Sequence, residues 1–364
     1  MLTGFWYRAL RSEEVRPRQL VPIMLLETPL VLGRTDGGRT DATGEKPGQA
    51  FAMRDNCPHR GIPLSYGWFD GTNVQCSYHG WKFDACSAQC VDIPSLTAAD
   101  KLDPRGAALM KIRAGHFPCE ERYGYLWVFM PDPGTSGEPT APAPALPTFS
   151  EKYRFTQLWA ELPSNVDHGI IGLMDPAHGP FVHSAWWWRG RESIHEKEKH
   201  FEPIPLGFRM SAHAPSKNSA PYKLLKWYAG DAAVTTTIDF VLPNLRYETI
   251  RAGKYWFASL TTVTPITRDR CRIDVAAAWN IFMHVPLAMT IARHFGKQFV
   301  EQDRQTMVQQ AQGLKHNPSL MLIDDADKPA KWYFQLKSSY LESKRTGQPF
   351  KHPLDSPVTL HWRS

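Results

Sequence analysis

Cysteine is scarce in this sequence, six in 364 residues, which excludes a disulfide-stapled scaffold and leaves each Cys to be explained by chemistry or packing. Long apolar runs are missing too. The most hydrophobic early stretch, Leu20 to Leu32, holds two prolines and Glu27, is too short to cross a bilayer, and predicts no membrane partner. The opening MLTGFWYRALRSEEV lacks the basic-then-apolar layout of an export signal, so a cytoplasmic location is expected. Neither sign of charge dominates: 42 Lys and Arg against 36 Asp and Glu leave +6, too dilute over this length for a nucleic-acid binder. There is no internal repeat, no Gly-x-Gly-x-x-Gly nucleotide fingerprint and no four-Cys ferredoxin motif. What remains is ordinary globular composition, 42% hydrophobic and 21% charged, at a length that suits two domains.

The chain reads as an α+β protein. Residues 1–130 alternate short β-prone runs (VPIMLLE, LVLGRT, QAFAMRD, TNVQCSY, GWKFD, ALMKIRA, GYLWVFMP) with turn residues, which predicts an all-β domain. Residues 131–148 carry six prolines between Pro131 and Pro147 and no apolar periodicity, the composition of a linker. Residues 149–364 mix helical signals near 165–178 and from about 286 to 314 with strand-like runs (AVTTTIDFVL, YWFASLTTVTPI, CRIDVAAAWNIFM). They predict an α+β domain with a largely antiparallel sheet. The polar, Pro-punctuated tail from Ser338 is expected to wrap loosely over the surface.

Two constellations carry chemistry. In the first domain, NCPHRG and CSYHGW present Cys57-x-His59, sixteen residues, then Cys76-x-x-His79. Two Cys and two His on paired loops describe a 2Fe-2S cluster of Rieske type, with both His on one iron. A tetrahedral zinc accepts the same set, but Cys-x-His is an awkward zinc spacing and no recognition helix follows. Gly61 and Gly80 suit tight turns around such a centre. Cys86 and Cys90 read as free thiols or as a second metal pair lacking further ligands.

In the second domain, LMDPAHGPFVH supplies Asp175, His178 and His183. A helix sets Asp175 and His178 on one face, and Gly179 and Pro180 are expected to end it, letting His183 swing back. The late helix repeats Ile291, Phe295, Phe299, Asp303 and Met307 every four residues, placing a carboxylate in an apolar stripe where a bound cation would satisfy it. The alternative is that Asp303 turns to solvent, with Asp324, Asp325 and Asp327 as other acids. Two His and a carboxylate with open positions match the facial set of non-haem Fe(II) sites. Trp186, Trp187 and Trp188 follow as pocket or core residues, and Arg189 and Arg191 as partners of a substrate carboxylate or of solvent.

Both Cys-His loops, followed by GWKFD, resemble the Rieske domain of Rieske non-haem iron oxygenases. Respiratory Rieske proteins usually carry an extra Cys in each loop, where this chain has Ile62 and Tyr78. LMDPAHGPFVH resembles the iron-binding segment of the same oxygenases, and VEQDRQTMVQQ the helix of their third ligand. The resemblance implies a 2Fe-2S cluster on Cys57, His59, Cys76 and His79, and mononuclear Fe(II) on His178, His183 and Asp303. It makes Asp175 the carboxylate that links His178 to the partner subunit's His79, in a head-to-tail homotrimer. Two positions depart from the family pattern: Cys86 stands where Gly is more usual, and Gly172 where Asn is, with Asn165, Asp167 and His168 nearby. A separate NAD(P)H reductase, with or without a ferredoxin, is implied, together with O2 and an aromatic substrate. Hydroxylation or oxidative demethylation follows from the nearest branches, those of the demethylases, monooxygenases and pheophorbide-oxygenase-like enzymes. Ring cis-dihydroxylation is the second reading, and an electron carrier without oxygenase activity a third.

Overall fold

The computed structural model describes residues 1–37, 48–135, 137–183, 191–213, 220–230, 232–324 and 326–364. The chain divides into two compact units, one of Met1 and Thr3–Pro144, the other of Leu2 and Ala145–Ser364.

The first unit contains strands β1 (Phe5–Arg11), β2 (Val21–Leu25), β3 (Thr28–Arg34), β4 (Ala50–Arg54), β5 (Trp68–Phe69), β6 (Asn73–Gln75), β7 (Lys82–Asp84) and β8 (Cys90–Asp92). Short helices α1 (Ala98–Leu102) and α2 (Pro104–Leu109) come next, then β9 (His116–Phe117), β10 (Cys119–Arg122) and β11 (Tyr125–Met130). They form three antiparallel sheets, ordered β1-β11-β10, β2-β3-β4-β9 and β5-β6-β7-β8. β3 and β4 are the wall between two cores. Leu30, Leu32, Ala50 and Ala52 face one with Tyr7, Leu126 and Val128, while Val31, Phe51 and Met53 face the other with Val74, Phe83, Cys57 and Cys76. The period of two along β3 and β4 produces this division, and Cys57 and Cys76, in the loops that follow β4 and β6, pack into the second core.

The unit is all-β in class, as expected, with two short helices inserted, but ALMKIRA is not a strand. Asp103 caps Arg105 and Gly106 N–H groups, and Pro104 opens α2, so local capping chemistry outweighs β propensity there. The Pro-rich segment is also tied down: the Trp6 indole donates to the Ala141 carbonyl, 2.8 Å, and Ala143 N donates to Glu120, 3.0 Å.

The second unit runs β12 (Arg154–Leu162), α3 (Val166–Met174), α4 (Gly179–Val182), β13 (Glu196–Ile204), β14 (Gly207–His213), α5 (Ala220–Ala229), β15 (Val234–Val241) and β16 (Leu245–Ala252). It continues with β17 (Tyr255–Thr267), β18 (Arg270–Trp279), α6 (Ala288–Leu314), α7 (Lys328–Thr346) and β19 (Val358–Arg363). One eight-stranded antiparallel sheet, ordered β12-β18-β17-β16-β15-β14-β13-β19, spans it. α6 rides close on β12: a Cβ at Gly296 would lie 2.3 Å from Leu158 Cδ1. α3 sits as closely on β17 and β18, where a Cβ at Gly169 would meet Val263 and Cys271 at 2.8 and 3.2 Å. Asp167 then ties α3 to α7, accepting from Tyr333 OH, 2.5 Å, and Lys337 Nζ, 2.6 Å.

The tail does not wrap loosely. α7 carries Ser338 in its interior and buries Trp332, Tyr333, Leu336 and Tyr340, a helical spacing, and β19 pairs with β13 at the sheet edge. Polar composition hid both because each element buries only one face. No helix among the described residues is long and apolar enough to cross a membrane.

Candidate metal centres

The two Cys-His loops share one backbone design. Cys57 N donates to the Ile62 carbonyl and Gly61 N to the Cys57 carbonyl, both 2.8 Å. Cys76 N donates to the Trp81 carbonyl, 2.9 Å, and Gly80 N to the Cys76 carbonyl, 3.1 Å. Each loop turns through a left-handed glycine, Gly61 at φ +76 and Gly80 at +71, a conformation costly for any residue with a Cβ. The one difference is the histidine offset, two residues after Cys57 and three after Cys76. That offset brings the His59 and His79 rings to 4.5 Å between centroids, with Trp81 stacked on His59 at 4.7 Å and 7°.

The thiols lie inside and the imidazoles outside. Cys57 and Cys76 are each 2% exposed, whereas His59 is half-buried and His79 exposed. Burial, reinforced by the adjacent Cys76 thiol, pushes the Cys57 thiol up to about 11. Thiolates in this core therefore need a bound cation. A single tetrahedral zinc would hold its ligand atoms roughly 3.3–3.8 Å apart. Among the described residues, the trio whose ligand atoms all fall within 4.8 Å is His178, His183 and Asp303, and no three of the four Rieske-type residues do so. Two buried thiols beside each other and two outward imidazoles beside each other are the ligand arrangement of a 2Fe-2S cluster with the sulfurs on one iron and the histidines on the other.

The second centre is built from two short segments and one long helix. α3 ends at Met174 because Pro176 restricts Asp175 to extended backbone, observed at φ −65, ψ 116. Gly179 and Pro180 do not end a helix, as expected, but begin the single turn α4, where a proline's fixed φ and missing N–H are tolerated. His178 and His183 are the two caps of that turn, and this, rather than a continuous helix, brings them together. Their Nε2 atoms are 3.2 Å apart, and Asp303 Oδ1 lies 3.2 Å from His183 Nε2 and 3.9 Å from His178 Nε2. Ligands about 2.1 Å from a common ion and at right angles to one another lie about 3.0 Å apart, close to the two 3.2 Å separations, while the His178–Asp303 pair at 3.9 Å is wider.

The remaining imidazole nitrogens are oriented by neutral carbonyls. His178 Nδ1 is 2.7 Å from the backbone carbonyl of Asp175 and His183 Nδ1 is 3.0 Å from Gln302 Oε1. Each contact places the proton on Nδ1 and leaves Nε2 as a lone pair. His183, 2% exposed, also lies flat on Phe299, 3.6 Å between centroids and 13° between planes. Phe299, Gln302 and Asp303 are thus one face of α6, at positions i, i+3 and i+4. Neither Phe299 nor Gln302 emerged as a site residue from sequence. Phe299 lies one helical turn before Asp303 and Gln302 directly beside it, and these positions were the available signal.

The stripe on α6 is only half-buried, with Ile291 51% exposed, so a place shared with the two Nε2 atoms around one cation, not deep burial, accounts for Asp303. Asp324 pairs with Lys328 and Lys331, Asp327 accepts from Ile323 N, and Asp325 lies outside the described residues. The Asp175 carboxylate accepts from Ala177 N, 2.7 Å, and its other oxygen stands 3.7 Å from His178 Nδ1; burial holds its pKa above the usual carboxylate value. A Cβ at Gly172 would meet only Met307 Cε, at 3.6 Å, so packing does not demand glycine there. Asn165 caps α3 and Asp167 serves the α7 contact. Trp186, Trp187, Trp188 and Arg189 lie outside the described residues, and Arg191 stands over Phe181 at 5.9 Å. None of the six cysteines is in a disulfide; Cys86 is exposed and Cys90 buried.

A thiolate-imidazole loop pair on the first unit and a two-His, one-carboxylate trio on the second are the side-chain sets of a protein with two metal centres. Residues 5–104 match the Rieske 2Fe-2S domain, and residues 172–332 match the vanillate O-demethylase oxygenase C-terminal domain. The chain belongs to the Rieske non-haem iron oxygenases, enzymes whose domains hold a 2Fe-2S cluster and a mononuclear iron. It is 25% identical over 328 residues to chlorophyllide a oxygenase of Arabidopsis thaliana, 88% of this chain and 54% of that one. It is 30% identical over 190 residues to the 5,5'-dehydrodivanillate O-demethylase oxygenase subunit of a Sphingobium species, 51% of this chain and 40% of that one. The chain spans about half the length of the curated relatives it matches. Its fold is that of dicamba monooxygenase bound to dicamba, with TM-score 0.69, 21% identity, and coverage of 95% of this chain and 99% of that one.

Proposed function

We propose that this chain is the terminal oxygenase of a multicomponent system, inserting oxygen from O2 into an aromatic substrate by hydroxylation or oxidative demethylation. Electrons come from NAD(P)H through a separate reductase, with or without a ferredoxin, since the chain has no nucleotide fingerprint of its own. The observation that carries this reading is the convergence of His178, His183 and Asp303 within 4.8 Å. A chain that only relayed electrons would need the Cys-His loops alone.

When bound, the cluster supplies single electrons and the mononuclear iron supplies the site for O2 activation. The four loop residues Cys57, His59, Cys76 and His79 would hold the cluster, and His178, His183 and Asp303 the iron. The carbonyls of Asp175 and Gln302 keep protons on the two Nδ1 atoms, so both Nε2 lone pairs face the metal position. Asp303 contributes one negative charge, and three side chains leave the remaining positions open to O2 and substrate. The exposed edge of His79 is where electrons would leave the cluster. Asp175, whose second oxygen makes no closer contact to His178 than 3.7 Å, is proposed to receive a hydrogen bond from the partner subunit's His79 in a head-to-tail homotrimer.

The names of the O-demethylase and monooxygenase relatives favour demethylation or hydroxylation over ring cis-dihydroxylation. A screen of methoxylated and hydroxylated aromatic compounds with a surrogate reductase under labelled O2 tests the reading. One labelled atom in a hydroxylated product, or an unlabelled phenol released in step with formaldehyde that carries the label, supports it. Two labelled atoms in a cis-diol move the assignment to dihydroxylation, and the absence of oxygen consumption with every substrate, in protein carrying only the cluster irons, leaves an electron carrier.

A further inference from the structure

We propose that Gln302 is a positioning residue that sets both the tautomer and the angle of His183, and that its neutrality keeps the mononuclear site from gaining a second negative charge on that side. The inference deepens the proposed function, since it rests on His183 being a metal ligand. Gln302 Oε1 lies 3.0 Å from His183 Nδ1, and a carboxamide oxygen accepts only, so the proton sits on Nδ1. From the same face of α6, Phe299 stacks beneath the ring at 3.6 Å and Asp303 reaches Nε2 at 3.2 Å. One helix face therefore holds a single imidazole by its flat side and by Nδ1, and sets the Asp303 carboxylate beside the Nε2 lone pair.

The two histidines are held differently. His178 donates to the backbone carbonyl of Asp175, 2.7 Å, within its own loop, an acceptor that substitution cannot remove. His183 depends on a side chain 119 residues away in sequence. The neighbouring polar groups of α6 do not compete for it: Glu301 is occupied by Arg304 and Gln305, at 2.6 to 2.8 Å. Both Nδ1 partners are uncharged. A carboxylate in place of Gln302 would draw the Nδ1 proton, make His183 a stronger donor and favour the more highly charged state of the metal.

The test is metal binding rather than turnover. Protein carrying its cluster but stripped of the mononuclear metal is titrated with Co(II), following the ligand-field bands and the dissociation constant, with His183→Ala and Gln309→Ala as references. Gln302→Ala is expected to weaken Co(II) binding about 10–100-fold and to alter the bands, while the cluster spectrum stays as in the wild type. Gln302→Glu, which keeps an acceptor, is expected to restore binding to wild-type strength or better. If the wild type binds Co(II), His183→Ala does not, and Gln302→Ala binds as the wild type, the positioning role is overturned while the metal site stands. If His183→Ala binds as well as the wild type, the site assignment itself fails.

Discussion

The imidazole of His178 hydrogen-bonds the backbone carbonyl of Asp175 at 2.7 Å, whereas the carboxylate of the same residue stands 3.7 Å away. The main chain thus fixes the tautomer of this histidine, and the Asp175 side chain is released for another task. Its other oxygen, Oδ1, accepts from Ala177 N at 2.7 Å, which an asparagine can also do.

Asp175→Asn is therefore expected to keep both metals bound and the loop intact, because neither the cap nor the His178 partner is lost. If the carboxylate bridges the two redox sites, oxygenation falls by orders of magnitude and the reduced cluster reoxidises slowly with substrate and O2 present. Rapid mixing followed at the cluster absorbance measures this, and reoxidation at the wild-type rate would refute the bridge.

His178→Ala, His183→Ala and Asp303→Ala are expected to abolish turnover and remove the mononuclear iron while leaving the cluster spectrum unchanged. Cys76→Ser should do the reverse, bleaching the protein and removing the two cluster irons. Iron analysis alongside the reduced-state paramagnetic spectrum separates the two losses. A colourless wild type containing zinc would contradict the assignment of the first centre.

The glycines of the two cluster loops should differ in cost. A Cβ at Gly61 meets nothing within 4 Å, so Gly61→Ala carries only left-handed backbone strain, about 1–2 kcal/mol. At Gly80 the same strain is joined by crowding against Pro94 Cγ, 3.1 Å, and Gln75 Nε2, 3.2 Å. Cluster retention during urea titration is expected to fall further for Gly80→Ala, and equal losses would show that crowding contributes nothing.

Asp167 should matter for stability rather than chemistry. Removing it by Asp167→Ala leaves Lys337 and the Tyr333 hydroxyl without the acceptor that joins α3 to α7. The expected loss is about 1.5–3 kcal/mol, measured by denaturant unfolding, with metal content per folded chain unchanged.

Much of this was legible in the sequence, for a local reason. Loop ligands separated by one or two residues carry their own spacing, so Cys57, His59, Cys76 and His79 could be read together, as could His178 and His183. Strand alternation in runs such as AVTTTIDFVL and the 27-residue helix Ala288–Leu314 were equally visible, since period two and period 3.6 are properties of adjacent residues. Local spacing misled where prolines act in two ways: Gly179 and Pro180 looked like a helix end and proved to be a helix start, and the Ser338 tail concealed a helix with one buried face.

Tertiary structure alone decided the rest. That Asp303 meets the two histidines, and not Asp324 or Asp327, depends on α6 being seated on β12 by the close approach of Gly296 to Leu158. That Gln302 and Phe299 hold His183 follows from the same docking, across more than one hundred residues of chain. The amino-acid order determined which side chains were available and on which helix face each stood. Packing of helix against sheet determined which faces met, because that depends on shape complementarity between segments that share no local pattern.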